Sequence, residues 1–162
     1  MPCIYFAHNK EEKLIEFNMK PIGVIHTPFK LQEGMPIQSV RSASDGSIEI
    51  FPEFQDGLES VDGLSHLILL YVFHKALNSS ELMIKPFLDD TRHGVFSTRW
   101  YQRPNPIGLS VVRLLDVKGG ILRIQNVDML DGTPLLDIKP YIPEFDHFTV
   151  DQIGWYSSRS HK

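Results

Sequence analysis

The chain has 162 residues, of which 42% are hydrophobic and 22% charged, and its net charge is −4 at pH 7. These values are typical of one soluble globular domain with enough chain for a sizeable core. The negative net charge argues against a broad nucleic-acid-binding surface. No apolar run reaches the ~18–20 residues that a membrane helix needs. The single cysteine, Cys3, excludes an internal disulfide and a multi-cysteine zinc site.

The N-terminal segment does not have the pattern of a secretory signal, because its apolar part ends at Ala7 and the charges of residues 10–13 follow. We therefore expect a cytoplasmic protein with no membrane attachment. Residues 1–18 are expected to form a loosely attached arm or an added first strand. Residues 19–156 are expected to form a single domain, and residues 157–162 a flexible tail.

Short apolar stretches bounded by turn residues predict a series of strands. They cover residues 19–28, 47–51, 65–73, 94–99, 109–117, 121–127, 135–142 and 149–156. Gly119-Gly120 predicts a hairpin turn, and residues 52–63 carry apolar side chains at helical spacing. The 65–73 strand is almost continuously apolar, which predicts a central strand covered on both faces. The long polar stretch of residues 30–46 predicts a functional or mobile loop.

Many strands, few helices and frequent Gly and Pro indicate a mainly β domain, either a sandwich or a barrel. A Rossmann arrangement is disfavoured, because no Gly-x-Gly-x-x-Gly motif stands between a strand and a helix. The seven histidines show no metal-ligand spacing, so we predict no metal site. Basic residues outnumber acids between positions 92 and 123. They could form one positive face or scatter over a solvated surface.

The run Arg103-Pro104-Asn105-Pro106-Ile107-Gly108 predicts an unusually stiff loop. Each proline fixes its own φ near −65°, and the residue before each proline is restricted to extended geometry. A guanidinium and an amide therefore stand on a loop with little freedom. Stiff loops on a rigid scaffold often carry binding residues.

Two further polar groups are candidates for chemistry. Asp137, Lys139 and Tyr141 alternate along a predicted strand and so share one face, where they could bind a ligand or handle a proton, or form only a surface ladder. Gln125-Asn126-Val127-Asp128 ends a predicted hairpin strand. Its Asp128 could accept hydrogen bonds from a ribose or an amine, or the segment could serve only as a turn.

The chain resembles the TsaA-like family at several motifs that occur in the family's order from about residue 19 to 145. The stiff loop and the segments Asp131-Gly132-Thr133-Pro134 and Asp137-Ile138-Lys139-Pro140-Tyr141 carry the resemblance. Further matches are Pro21-Ile22-Gly23-Val24-Ile25, Gly63-Leu64-Ser65-His66-Leu67, Val72-Phe73-His74 and Gly94-Val95-Phe96-Ser97-Thr98-Arg99.

The resemblance implies a small, mainly antiparallel β-barrel that binds S-adenosylmethionine without a Rossmann fold, usually as a homodimer. Characterised members methylate N6 of the threonylcarbamoyladenosine next to the tRNA anticodon, so tRNA is the implied partner. Carried over motif by motif, the implied cofactor contacts are Pro36, Ile37, Gln38, His74, Lys75, Arg99, Leu109, Gln125, Asn126, Val127 and Asp128. Arg99 or Arg103 could pair with the ligand carboxylate or an RNA phosphate. Asp137, Lys139 and Tyr141 are the candidates for orienting or deprotonating the acceptor nitrogen.

The chain departs from the family pattern at two of these positions. Ile37 stands where the family often has Arg, and Lys75 stands where it often has Gln. Bacterial members also carry a C-terminal extension that this sequence does not contain. Three functions therefore stay open: a tRNA methyltransferase, a non-catalytic S-adenosylmethionine-binding or sensing module, and a methyltransferase acting on another substrate.

Overall fold

The computed structural model describes residues 2–5, 15–76 and 81–158. Ten strands lie within this part of the chain. They are β1 (Pro2–Tyr5), β2 (Ile15–Asn18), β3 (Gly23–His26), β4 (Asp45–Ile50), β5 (His66–Val72), β6 (Met83–Ile84), β7 (His93–Gly94), β8 (Ile107–Lys118), β9 (Ile121–Gln125) and β10 (Thr133–Pro140). Six of them, in the order β10–β3–β4–β9–β8–β5, close an antiparallel barrel. The predicted mainly β barrel is confirmed.

The barrel encloses an apolar core formed by the inward-facing residue of each strand. In register, Ile25 lies opposite Ile48, and Ile48 lies opposite Leu122. Leu67 pairs with Val112 on the far side, and all five of these side chains are fully buried. Closure of the sheet removes its edges, so each barrel strand has a neighbour on both sides.

The strand predicted over residues 65–73 is β5, but the prediction that both its faces are covered is wrong. Leu67, Leu69 and Tyr71 are buried, whereas the residues between them are half-buried. A barrel strand covers one face with the core and leaves the other on the outer wall, even when the sequence is apolar throughout.

Short helices connect the strands. They are 3-10 turns at Ser39–Arg41, Pro52–Leu58, Val61–Gly63, Val95–Ser97 and Gly154–Ser158, and one α-helical turn at Pro143–Asp146. The helical turn expected within residues 52–63 is therefore confirmed. Within the described residues no helix is long and apolar enough to cross a membrane.

The strands predicted over residues 94–99 and 149–156 are wrong. The hydroxyls of Ser97 and Thr98 donate to the carbonyls of Gly94 and Val95, and these local bonds close a 3-10 turn in place of a strand. Residues 154–158 also form a 3-10 turn, which begins at Gly154 with φ 59°.

Three connections leave the barrel at one end, which we call the loop end. His26 pairs with Ser47, Asp45 with Gln125, and Val72 with Ile107, so these strands all terminate there. The connections at this end span residues 27–44, 73–106 and 126–132. Most of the predicted cofactor contacts lie in these connections. The topology therefore brings together residues that are nearly one hundred positions apart.

The N-terminal segment is separate from the barrel. β1 and β2 pair with each other in a two-stranded antiparallel sheet, with Pro2 opposite Asn18. Residues 6–14 lie outside the described residues, as do positions 159–162 of the predicted tail. The division of the chain into arm, domain and tail stays a prediction.

Candidate functional site

A hydrogen-bonded chain of three side chains lies at the loop end of the barrel. Ser110 Oγ donates to Asp128 Oδ1 over 2.6 Å, and Tyr71 OH lies 3.0 Å from Ser110 Oγ. Tyr71 and Ser110 are neighbours because β5 and β8 are paired. Asp128 lies just beyond the end of β9. All three are buried, with Asp128 9% exposed.

Burial raises the pKa of Asp128 to about 6. Four weaker influences lower this pKa: hydrogen bonds from the Ser110 hydroxyl and from the backbone N–H groups of Ser39 and Asp128, and the charge of the Arg99 guanidinium. Burial likewise raises the pKa of Tyr71, and the nearby Asp128 charge adds to that effect. Tyr71 is therefore neutral at pH 7, and its O–H is available as a donor to Ser110. Both hydroxyls of the chain thus support a carboxylate at Asp128.

Gly108 makes room for this arrangement. A Cβ at Gly108 would lie 2.1 Å from Cε2 of Tyr71, so a side chain there would displace the tyrosine ring. Gly108 ends the stiff loop, and the loop is tied to the barrel by the N–H of Phe73, which donates to the Pro106 carbonyl over 2.8 Å. The stiff loop therefore approaches the polar site through Gly108, which lies directly against the Tyr71 ring.

The polar loop of residues 30–46 reaches over the buried carboxylate. The backbone N–H of Ser39 hydrogen-bonds to Asp128. Gln38 Oε1 accepts a 2.6 Å hydrogen bond from Arg99 Nη1, while its Nε2 donates to the Ile37 carbonyl. The structure therefore brings Gln38, Arg99 and Asp128 together, as the sequence predicts. They surround one polar site at the loop end.

A second polar group lies at the same end, around Asp131. The N–H of Thr27 and the Lys30 ammonium donate to its carboxylate, and these bonds, the one from Lys30 first, lower the pKa of Asp131. His74 Nδ1 lies 3.5 Å from Thr133 Oγ1. Partial burial, followed by the charge of Lys75, lowers the pKa of His74, so its imidazole is neutral at pH 7.

The other three residues of the predicted segment 125–128 also have partners within the chain. Gln125 Nε2 donates to Asp45 Oδ1 over 3.0 Å, and the Asn126 amide donates to the Ser42 carbonyl. Val127 is fully buried, and its N–H and C=O both hydrogen-bond to the 42–44 segment. Asn126 has a φ of 71°, which Asn tolerates better than most residues. This left-handed residue turns the chain at the end of β9, so that Asp128 enters the site.

The other predicted contacts are divided between the loop end and the outer wall. Pro36, Ile37 and Lys75 lie on loop-end connections, as does Arg103, whose Nη1 donates to the Thr98 carbonyl over 3.3 Å. Leu109 differs from them. It pairs with Leu70 on the barrel wall, and its side chain is 50% exposed on the outside, on the opposite face of β8 from Ser110. Within one chain, Leu109 does not reach the buried polar site.

The structure does not bring the three predicted catalytic residues to this site. The ammonium of Lys139 forms a 2.8 Å ion pair with Asp137, so the predicted shared face is real, but it is on the outer wall. β10 runs away from the loop end, and at ~3.3 Å per residue Lys139 lies roughly 20 Å along the strand from Thr133. The Tyr141 N–H donates to the carbonyl of His66, at the opposite end of the barrel. The arrangement of Asp137 and Lys139 matches the alternative prediction for these residues, a polar ladder on the surface.

Sequence reasoning missed Tyr71, Ser110 and the backbone of Ser39. Tyr71 and Ser110 stand in runs that look like ordinary strand sequence. Only the pairing of β5 with β8 places their hydroxyls beside Asp128. The one available signal was a polar residue, Ser110, at an inward-facing position of an apolar strand.

The donor set at the loop end fits S-adenosylmethionine, whose polar groups are a sulfonium, an α-amine, an α-carboxylate and ribose hydroxyls. Asp128 is a buried acceptor suited to an amine or a hydroxyl. The Arg99 guanidinium is exposed and suited to a carboxylate. Gln38 and Ser39 contact the site from the loop side, through Arg99 and Asp128 respectively.

Comparisons with known proteins show which family the chain resembles. The sequence model of a family described as the tRNA-methyltransferase O N-terminal domain matches residues 24–147. A probable S-adenosyl-L-methionine-binding protein from Pyrococcus abyssi is 53% identical over 88% of this chain and 78% of its own length. A tRNA (adenine(37)-N6)-methyltransferase from Mus musculus is 41% identical over 78% of this chain, but over only 31% of its own length.

The solved structures that this chain resembles are TrmO structures. A crystal structure of TrmO from Pseudomonas aeruginosa superposes with a TM-score of 0.73 at 38% identity, covering 86% of this chain and 62% of that one. A second TrmO structure has a TM-score of 0.74 at 39% identity. This chain therefore spans less than two thirds of the length of the solved chains it resembles.

Proposed function

The chain belongs to the family of the tRNA-methyltransferase O N-terminal domain, and from that membership we propose that it binds S-adenosylmethionine at the loop end and methylates N6 of an adenine in tRNA. The observation that carries the proposal is the buried Asp128 carboxylate, held by Ser110 and covered by the loop that Gln38 ties to Arg99. Support also comes from relatives that are named for binding S-adenosylmethionine or for methylating tRNA adenine.

The finer form of the proposal is that the acceptor is threonylcarbamoyladenosine next to the anticodon, and that the protein acts as a cytoplasmic homodimer. The family resemblance supports these points. The exposed position of Leu109 on the outer wall is consistent with a homodimer, because a residue that contacts the ligand from there would need a second subunit beside it.

Each residue of the site has a defined task in this proposal. S-adenosylmethionine supplies an electrophilic methyl group on a positively charged sulfur. Asp128 accepts hydrogen bonds from the ligand amine or ribose, and Arg99 pairs with the ligand carboxylate. Gln38 and Ser39 close the loop over them. Holding donor and acceptor at attack distance is the main contribution of such a site, since no covalent enzyme intermediate is needed.

Two measurements test the proposal. We expect S-adenosylmethionine at about 100 times its Kd to stabilise the fold by about 2.7 kcal/mol, which is a rise of several degrees in Tm. We also expect mass spectrometry of tRNA nucleosides to show loss of the N6-methyl group of the modified adenosine when the gene is deleted. Unchanged nucleosides in the deletion strain would refute the tRNA activity, and an unchanged Tm would refute the cofactor site.

A second candidate function is binding without transfer. It is favoured by the archaeal relatives, one of which, from Archaeoglobus fulgidus, is named an S-adenosyl-L-methionine-binding protein and is 44% identical over 79% of this chain. Lys75, which stands where the family often has Gln, places a cation beside His74 at the loop end. This candidate predicts a rise in Tm with S-adenosylmethionine, together with no methyl transfer to any RNA.

A further inference from the structure

We propose that an aromatic stack formed by Phe87, Trp100 and Tyr101 is the platform on which unpaired bases of the RNA substrate stack. The inference rests on the proposed function, since it names the surface that receives the RNA. The stack lies in the 73–106 connection, where Trp100 and Tyr101 immediately follow Arg99 of the cofactor site. It therefore adjoins the site without forming part of it.

The rings form a continuous series from solvent to the barrel interior. The ring centroids of Phe87 and Trp100 lie 4.7 Å apart with the rings tilted by 41°, and those of Trp100 and Tyr101 lie 4.9 Å apart with a tilt of 33°. Tyr101 then contacts Phe73 edge-on at 6.4 Å, and Phe73 contacts Tyr71 at 5.4 Å. Tyr71 belongs to the hydrogen-bonded chain that ends at Asp128, so the series is anchored on the cofactor site.

The outer end of the series is exposed to solvent. Phe87 is 58% exposed, although Ile84 and Pro86 on the same connection are buried. The buried neighbours hold the backbone, and the ring of Phe87 stands in solvent against one side of Trp100. An exposed aromatic face of this kind is what a nucleobase uses for stacking.

The charges around the stack favour RNA over a protein partner. Arg99 and Arg103 flank Trp100 and Tyr101 in sequence, and both guanidiniums lie on the same connection. The neighbouring acids have partners: Asp90 forms a 2.8 Å ion pair with Lys85, and Asp89 Oδ2 lies 3.0 Å from His93 Nε2. Aromatic rings beside guanidiniums are typical of surfaces that bind single-stranded nucleic acid. The loop that surrounds an anticodon presents unpaired bases of this kind.

The decisive variant is Phe87→Ala, measured with a fluorescein-labelled tRNA anticodon stem-loop by fluorescence anisotropy. We expect its Kd for the RNA to rise about 5- to 150-fold, the loss associated with one stacked base. The Kd for S-adenosylmethionine and the Tm should stay unchanged, because Phe87 is exposed. The slope of log Kd against log salt should also stay unchanged, since no charge is removed.

The matched control is Phe145→Ala. Phe145 is 64% exposed on the α-helical turn after β10, at the opposite end of the barrel, so its removal should leave the Kd for the RNA unchanged.

The outcomes separate this inference from the proposed function. If the wild type binds and methylates the RNA and Phe87→Ala binds it equally well, the platform is overturned while the proposed function stands. If the wild type binds S-adenosylmethionine but no RNA, the tRNA activity itself fails and the platform fails with it. If Phe87→Ala changes only self-association, measured by light scattering, the surface is a protein interface and the inference is wrong.

Discussion

The Ser110 hydroxyl donates a 2.6 Å hydrogen bond to the Asp128 carboxylate, joining the β8 strand to the segment that follows β9 at the loop end of the barrel. Through this bond the Asp128 carboxylate is held in a fixed position, as a hydrogen-bond acceptor inside a mostly apolar structure. Without Ser110 the carboxylate would lose its main stabilising partner and its pKa would rise further above 6.

We predict that affinity for S-adenosylmethionine rises with pH through about 6, the pKa to which burial raises Asp128. Below that pH the carboxyl is protonated, and the affinity should fall by about tenfold per pH unit if only the ionised form binds. Calorimetric titration between pH 5 and 8 measures this, and Ser110→Ala should move the midpoint upward. A flat profile in both proteins would contradict the assigned role of Asp128.

Stability should show the opposite pH dependence. Because the pKa of Asp128 is higher in the folded state than its ordinary value of 3.8, its contribution to the free energy of unfolding is full below about pH 4 and is lost as pH rises through about 6. Asp128→Asn should remove this loss, so that the variant gains stability relative to wild type from pH 4 to 7. Urea unfolding at these two pH values provides the test.

Gly108→Ala should destabilise the protein and weaken cofactor binding together. The added methyl would lie 2.1 Å from the Tyr71 ring, and overpacking of this kind costs about 1–3 kcal/mol. Movement of Tyr71 would also break its hydrogen bond to Ser110. Gly57→Ala is the control, because nothing lies within 4 Å of a Cβ at that position. Equal unfolding free energies for the two variants would refute the close approach.

Replacing both Pro104 and Pro106 with Ala should weaken cofactor binding more than it lowers stability. The prolines restrict the loop that braces Tyr71, and removal of each costs about 0.4–1 kcal/mol through the unfolded chain. The ratio of the loss in binding free energy to the loss in unfolding free energy measures the effect. If binding stays intact, the stiff loop has another role, such as packing between subunits.

Lys139→Gln and Tyr141→Phe should leave methyl transfer within about twofold of wild type. Lys139 forms an exposed ion pair with Asp137, and such pairs contribute about 0–1 kcal/mol to stability. Single-turnover transfer to tRNA measures this, with Arg99→Ala as the damaging comparison. A large loss in either variant would restore the catalytic role that the sequence suggests, supplied to the site by a second subunit.

Trp155→Ala should loosen the loop of residues 30–46 and the 95–97 turn. Trp155 stacks on His93 with centroids 4.7 Å apart, and its Nε1 donates to the Ser97 carbonyl over 2.8 Å. Next to it, the Tyr156 hydroxyl accepts a hydrogen bond from Arg41. We expect faster amide exchange at residues 39–41 and 95–97, with unchanged exchange in β4 and β9. Unchanged exchange at both loops would show that the C-terminal turn does not brace them.

Local patterns predict most of the barrel. Apolar alternation and the Gly119-Gly120 turn place β8 and β9 correctly, because hairpin pairing depends on neighbours in sequence. The strand predicted at residues 94–99 fails, because Ser97 and Thr98 hydrogen-bond to their own backbone. Composition at that position is compatible with either conformation, and a local hydroxyl contact decides between them.

The amino-acid sequence is enough to predict a mainly β domain, its family, and Gln38, Arg99 and Asp128 among the residues expected at one site. Which of the candidates meet depends on the fold of the whole chain. Closure of the barrel places Tyr71 and Ser110 beside Asp128, and the direction of β10 carries Lys139 and Tyr141 away from them. The physical reason is that strand pairing joins positions far apart in the chain. The alternation of inward and outward side chains then separates immediate neighbours, as it does Leu109 from Ser110.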